Sequence, residues 1–321
     1  MNLAFLYPGQ GAQRSRIFRA LPASPAVTNT LDEAATALDH IRWPGGLDDL
    51  DTAEALRSTT NVQLALVISG VAAARVLTDD HGLVPDFVAG HSVGAFAAAV
   101  TAGVLTLSEA MAAVQLRGDL MQQICETGRW GMAAVLGLGA TAVRALADRV
   151  STQDNPVWVA NINSADQIVL SGTTTALERA NDAARQAGAR RWELLDVAIA
   201  SHCPLQAPTA ARVAAHLACL PRRTQRVAYL TNTRGRRVRA DAAAVLDDLA
   251  QAVARPVQWY DAMGLMGELG ATCAIQMPPG HTLAALATES VPGIRALAFD
   301  DVGIKGAVAA CAHDLRRRAR V

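Results

Sequence analysis

Aromatic residues make up only 4% of this 321-residue chain, lysine occurs once, at Lys305, and 29 basic residues are matched by 29 acidic ones. A chain with no surplus of either charge lacks the basic footprint that bulk nucleic-acid binding needs. The single lysine is read as a compositional bias without functional weight. Five cysteines (Cys125, Cys203, Cys219, Cys273, Cys311) are scattered without metal-type spacing, so no metal site is expected and the thiols read as reduced. No uninterrupted apolar run is long enough to cross a bilayer, and the opening segment up to Pro8 lacks a basic stretch followed by a long apolar one. Hydrophobic residues still reach 51%, too many for a disordered chain. The expectation is a compact, alanine-rich cytoplasmic protein with neither membrane nor nucleic acid as partner.

What is present is an alternation of strand-like and helix-like segments, which predicts an α/β fold around a mainly parallel sheet. Leu3–Leu6 reads as a strand, 59–77 as a helix and Phe87–Gly90 as a strand. Thr106 to Glu109 fits a capping box opening a helix that runs to about Cys125. Between Gly128 and Val197 the order becomes β-α-β-β-α-β, the ferredoxin-like pattern, with its last strand expected over 191–197. This predicts a hydrolase-like large domain from residues 1–127 and 198–321, interrupted by a small ferredoxin-like subdomain at 128–197. The cleft between them is the natural ligand site.

Gly90-His91-Ser92-Val93-Gly94 places a serine where the Phe87–Gly90 strand turns abruptly into a helix, the context of a nucleophile elbow. The helix start behind it offers free N–H groups to an oxyanion. A serine needs a base within reach. His91 adjoins Ser92 but points elsewhere at a tight turn, so it reads as a support for the elbow. His202, in Ala200-Ser201-His202-Cys203-Pro204, follows the expected return from the small subdomain and is the candidate base; a partly buried loop histidine is the equal alternative. His40, His81, His216, His281 and His313 carry no signal. Asp166 and Asp196 lie between serine and histidine, but neither follows a main-sheet strand, so a backbone carbonyl is the other candidate to orient the imidazole. No Asp-Gly dipeptide follows the elbow, which weakens a patatin-like Ser-Asp pairing.

Arg117 sits at the edge of the apolar stripe formed by Met111, Val114, Gly118, Met121 and Cys125. Either it pairs with a nearby acid such as Asp119 or Glu109, or its planar fork is kept for a ligand carboxylate. The arginines at 222, 223, 226, 234, 236, 237 and 239 form either a solvated face or a docking surface for an acidic partner.

Pro8-Gly9-Gln10-Gly11, the Ser92 elbow, Gln115-Leu116-Arg117-Gly118, Asn161-Ile162-Asn163-Ser164 with Gln167–Gly172, Ser201-His202-Cys203 and Pro256-Val257-Gln258-Trp259 stand in the order seen in malonyl-CoA:acyl-carrier-protein transacylases, which the chain resembles over nearly its whole length. The resemblance implies Ser92 as acyl-accepting nucleophile and His202 as base, with the Gln10 and Val93 amides as the oxyanion hole. It further implies Arg117 as the grip on the malonyl carboxylate, Gln63 and His91 as substrate-binding positions, and the carbonyl near Ala252 as the group orienting His202. The family commonly has glutamine at that last point, whereas here Gln251 stands one position early. It implies no permanently bound cofactor: malonyl-CoA is the substrate and a phosphopantetheine-type thiol arrives on a small acyl carrier protein. Ala95-Phe96 after the elbow, Arg57 to Gln63 and Met277-Pro278-Pro279-Gly280 resemble the epsilon subunit of bacterial malonate decarboxylase, which implies that enzyme's other subunits as partners. The alternatives are the transacylase of fatty-acid synthesis and a serine (thio)esterase.

Overall fold

The computed structural model describes residues 2–318; Met1, residues 319–321 and the side chains from 312 on, His313 among them, lie outside the described residues. Among the described residues eleven strands form: β1 (Leu3–Tyr7), β2 (Phe87–Gly90), β3 (Trp130–Leu136), β4 (Val157–Ile162), β5 (Gln167–Thr173), β6 (Arg191–Leu194), β7 (Ala228–Leu230), β8 (Arg237–Val238), β9 (Val257–Gln258), β10 (Cys273–Gln276) and β11 (Arg295–Ala298). The first sheet has the order β11-β10-β1-β2-β7-β8 and is parallel except for β8. The chain is therefore mixed α/β with a mainly parallel sheet, as its alternation of elements predicts.

β1 shows why this sheet is covered on both faces. Leu3, Phe5 and Tyr7 enter one apolar core, while Ala4 and Leu6 enter another on the opposite side. Side chains alternate along a strand, so a continuously apolar strand is stable only between two layers of helices.

The helix Thr59–Arg75, continued by a π-helical segment Val76–Asp80, is long and apolar enough by composition to cross a bilayer, which the sequence reading of apolar runs did not anticipate. It is a core helix, buried along nearly its whole length. Against it lies the helix Leu107–Cys125, opened by the Thr106–Glu109 capping box. Gly118 permits their close approach: a Cβ there would stand 2.7 Å from the Cα of Thr60. That approach brings Gln63 and Arg117, one from each helix, side by side.

The second sheet has the order β6-β3-β5-β4-β9, with the β6–β3, β3–β5 and β5–β4 pairs antiparallel. The helices Ala140–Val150 and Thr174–Gln186 contribute to its separate core. Two details differ from expectation. β6 ends at Leu194 rather than 197, because Val197 N donates to Leu195 O across a tight turn (2.8 Å). β9, from a segment expected to belong wholly to the large domain, pairs in parallel with β4 at Asn161 and Ile162. The two sheets are thus stitched at an edge by backbone hydrogen bonds.

β1, β2 and the helix Gly94–Thr101 meet so tightly that a Cβ on Gly94 would fall 2.2 Å from the Tyr7 carbonyl oxygen. Neither backbone can yield without breaking the β1–β2 register. Gly94→Ala is expected to destabilise the protein by about 2 kcal/mol or more, read as a lowered urea midpoint at unchanged slope.

Candidate active site

Ser92 occupies the junction between β2 and the helix Gly94–Thr101 with φ +54°. A non-glycine residue in the left-handed region is held there against its own preference. The holding is visible: a Cβ on Gly90 would lie 2.1 Å from the Gly94 carbonyl carbon, so strand end and helix start touch backbone to backbone. His91 N donates to Tyr7 O (2.9 Å), Ser92 N to the Asn232 side-chain oxygen (2.9 Å) and Gly94 N to His91 O (3.0 Å). The Val93 amide, between them, has no acceptor among the described residues, and neither has that of Gln10. Gln10 lies on the loop after β1 and, with Val93, lines the same cavity. These two amides are the free donors beside Ser92.

His202 faces the serine from the segment preceding the 3-10 turn Pro204–Gln206, and it too has a left-handed backbone, with φ +58°. Its N–H donates to Val253 O (2.7 Å), its Nδ1 meets Ala252 O at 2.6 Å and its Nε2 meets Ser92 Oγ at 2.7 Å. A carbonyl can only accept, so Nδ1 carries the proton and Nε2 presents its lone pair to the Ser92 hydroxyl. Burial, and next the nearby Arg117 charge, push the imidazole pKa down to about 3, against the opposing Ala252 hydrogen bond. The ring is therefore neutral at neutral pH, the form a general base requires. Asp166 bonds Arg190 and Ser164 instead, and neither it nor Asp196 reaches His202.

Arg117 is buried, with its Nη1 donating to Gln63 Oε1 (2.7 Å) and its Nη2 to Ser92 Oγ (3.2 Å). Both nearby acids have other partners: Glu109 receives a two-pronged bond from Arg223, and Asp119 accepts from Thr60 Oγ1 at 2.7 Å. No carboxylate pairs with Arg117 among the described residues. Burial lowers its pKa to about 10, which leaves it cationic at neutral pH. A buried guanidinium without a counter-charge, next to a serine hydroxyl, is a slot for an anion.

Gln63 is fully buried, and Met121 Sδ lies 3.5 Å from its Nε2. It is not among the residues lining the cavity, and it bonds two that are, Arg117 and Met121. His91 lines the cavity wall, bonded through Nε2 to Asn163 Oδ1 (2.9 Å) and edge-on to Trp259, and burial lowers its pKa. It makes no hydrogen bond to Ser92. The arginine run is partly tied down, with Arg223 on Glu109 and Arg222 on the carbonyl of Leu217.

All of this opens onto a cavity of about 640 Å³ between the ends of the two sheets. Its lining includes Arg117 and Ser92, Met132, Ala134 and Val169 of the second sheet, and Thr282, Leu283 and Leu286 of the helix Thr282–Ser290. Asn232 is the residue that sequence reasoning missed. It follows β7 in a plain Thr-Asn-Thr context, and only the parallel pairing of β7 with β2 brings it under the elbow.

The family model described as acyl transferase domain matches residues 4–293. The malonyl CoA-acyl carrier protein transacylase of Salmonella typhimurium is 34% identical over 301 residues, covering 94% of this chain and 96% of the relative. That of Bacillus subtilis is 31% identical over 305 residues, covering 94% of each. Among solved structures, a malonyl-transacylase in complex with a type II polyketide synthase acyl carrier protein superimposes with a TM-score of 0.89 at 31% identity, over 97% of this chain and all of that one. The acyl-carrier-protein S-malonyltransferase of Burkholderia pseudomallei gives 0.86 at 31% identity, over 93% and 96%.

A base held neutral down to about pH 3 sets a distinctive pH dependence. Covalent labelling of Ser92 by a fluorophosphonate is expected to proceed at a nearly constant rate from about pH 8 to about pH 5, followed by intact mass. An ordinary exposed histidine would instead halve the rate near pH 6.5, and such a profile would sink the assignment of a buried neutral base.

Proposed function

The chain belongs to the malonyl-CoA:acyl-carrier-protein transacylase family of acyl transferase domains, and we propose that it moves malonyl from malonyl-CoA, through an ester on Ser92, to the prosthetic thiol of an acyl carrier protein. It is an acyltransferase. The observation that carries the substrate reading is Arg117, a buried cation with no counter-charge 3.2 Å from the Ser92 hydroxyl. Its two-pronged fork matches a free carboxylate, so the acyl group selected is one that ends in a carboxylate.

In this reading His202 takes the Ser92 proton as Oγ attacks the thioester carbonyl. The oxygen of that carbonyl becomes an oxyanion facing the Val93 and Gln10 amides. Collapse breaks the C–S bond, His202 returns its proton to the departing CoA sulfur, and a malonyl ester remains on Ser92. The carrier's thiol then enters, gives its proton to His202 and attacks the ester; the second collapse frees Ser92 with the proton restored. The Ala252 carbonyl holds the imidazole in the tautomer that both halves need, and it stabilises the imidazolium in between. Gln63 orients Arg117. The thioester is already activated and the second thiol arrives on its carrier, so the chemistry calls for no resident metal or cofactor. The reading is of a cytoplasmic enzyme in which residues 128–197 act as a small subdomain over the cleft.

The transacylases of Salmonella typhimurium and Bacillus subtilis, similar over 94% of this chain, support this reading rather than the malonate decarboxylase subunit. Of the residues behind that second resemblance, Ala95, Phe96 and Met277 are buried in the apolar core, and Gln63 is bonded to Arg117, a position either branch can use. A simple esterase has no use for Arg117 beside its serine.

Incubation with malonyl-CoA is expected to leave a malonyl adduct on the wild-type chain, absent in Ser92→Ala and discharged by a carrier bearing its prosthetic thiol. Lack of any adduct, or discharge by water as fast as by carrier, would refute transfer. Arg117→Ala is expected to lower kcat/KM for malonyl-CoA by about 100-fold while leaving the low rate with acetyl-CoA nearly unchanged, since a buried hydrogen-bonded charge pair is worth about 2–5 kcal/mol.

A further inference from the structure

Asn232 uses every polar group it has. Its side-chain Oδ1 accepts from Ser92 N (2.9 Å) and its Nδ2 donates to Gly90 O (2.8 Å), so one carboxamide spans the elbow from strand end to nucleophile. Its backbone N–H donates to Asp248 Oδ2 (2.9 Å), and its carbonyl accepts from Gln258 N of β9 (2.7 Å). Asp248 is itself buried in the helix Ala242–Gln251 and faces no cation; it accepts from Tyr229 Oη, Asn232 N, Thr233 N and Thr233 Oγ1, at 2.6–2.9 Å. A carboxylate with both oxygens doubly occupied by donors is a rigid anchor. The same helix runs straight into the turn whose Ala252 carbonyl orients His202.

Of the four consecutive amides from His91 to Gly94, those of His91, Ser92 and Gly94 have their acceptors supplied by the fold, and the one left out is Val93. Of the three acceptors only that for Ser92 is a side chain. We propose that Asn232 is a positioning residue for the Ser92 reaction: its carboxamide, anchored by Asp248 and β9, pins the Ser92 peptide in its left-handed conformation, so that the Val93 amide faces the reacting oxygen. This rests on the reading of Ser92 as the nucleophile. Without the carboxamide, the Ser92 N–H and the Gly90 carbonyl lose their partners and the left-handed residue loses the bond that opposes its relaxation. The oxyanion donor then moves out of line, and a displacement of about 1 Å at such a site costs on the order of 100-fold in rate.

The test uses the full chain and two substitutions. Asn232→Ala is expected to slow both fluorophosphonate labelling of Ser92 and kcat for malonyl transfer by about 100-fold, with KM for malonyl-CoA within about threefold of wild type, because Arg117 is untouched. Asn232→Asp keeps the acceptor for Ser92 N but turns an oxygen toward the Gly90 carbonyl, and only its protonated form restores the donor. Its deficit relative to wild type is expected to shrink as pH falls from about 8 to about 5, a change that a general loss of folding does not produce. Labelling of the alanine variant within about threefold of wild type, or an aspartate deficit that ignores pH, would overturn the assignment. If the alanine variant does not fold, the aspartate profile decides alone. Failure of the malonyl reading looks different: the wild-type chain would be labelled by the fluorophosphonate and yet take no malonyl adduct.

Discussion

Ser92 sits in a backbone conformation that serine does not choose, φ +54°, and the surrounding architecture serves to keep it there. Such a residue costs about 1–3 kcal/mol unless its surroundings determine it. Gly90 and Gly94 remove the Cβ atoms that would separate β2 from the helix behind it, Tyr7 O accepts the His91 amide, and Asn232 clamps both ends of the turn. His202 repeats the device, with φ +58° and its amide tied to Val253 O. Two strained residues from distant parts of the chain meet at 2.7 Å because neither backbone has freedom left.

Burial then sets the electrostatics. Arg117 and His202 compete for the same small volume around Ser92 Oγ, and the guanidinium wins the charge. A positive imidazole beside a positive guanidinium, both desolvated, is disfavoured, so at rest the histidine is neutral, with its lone pair toward the serine. Replacing the carboxylate of a Ser-His-Asp triad by the Ala252 carbonyl fits this balance. A carbonyl fixes the tautomer as well as a carboxylate does, yet adds no full negative charge to compete with an incoming anion for Arg117.

The elbow was legible in the sequence because its requirements are local: a short apolar strand, two glycines and an alanine-rich helix. His202 was legible as a candidate base, but its local sequence left a loop histidine equally open, since its partner carbonyl and the serine come from segments 50 and 110 residues away. Arg117 could be placed on its helix, but whether Asp119 or Glu109 neutralised it depended on Thr60 and Arg223, residues with no sequence cue. Gln63 was read as a support for the acyl carboxylate or for the loop carrying Gln10; it stands beside Arg117, a placement set by the helix approach at Gly118. Asn232 and Asp248 were silent altogether. A lone asparagine after a three-residue strand has no periodicity, and its meaning comes only from strand order. β9 carried no cue for a similar reason: two residues are too few to show which sheet they will join.

The transfer chemistry also explains where selectivity can lie. The acyl group enters from one thiol and leaves to another, so a site that gripped either thiol strongly would hinder one of the two half-reactions. The group common to both is the acyl chain, and among the described residues Arg117 is a buried cation without an acid partner, 3.2 Å from the Oγ of Ser92, the serine proposed to carry it. In the proposed reaction, discrimination among acyl groups therefore belongs to Arg117, beside the serine, and discrimination among carriers to other surfaces. This is why core residues such as Ala95 and Phe96 say little about the acceptor, whereas a single arginine says much about the cargo.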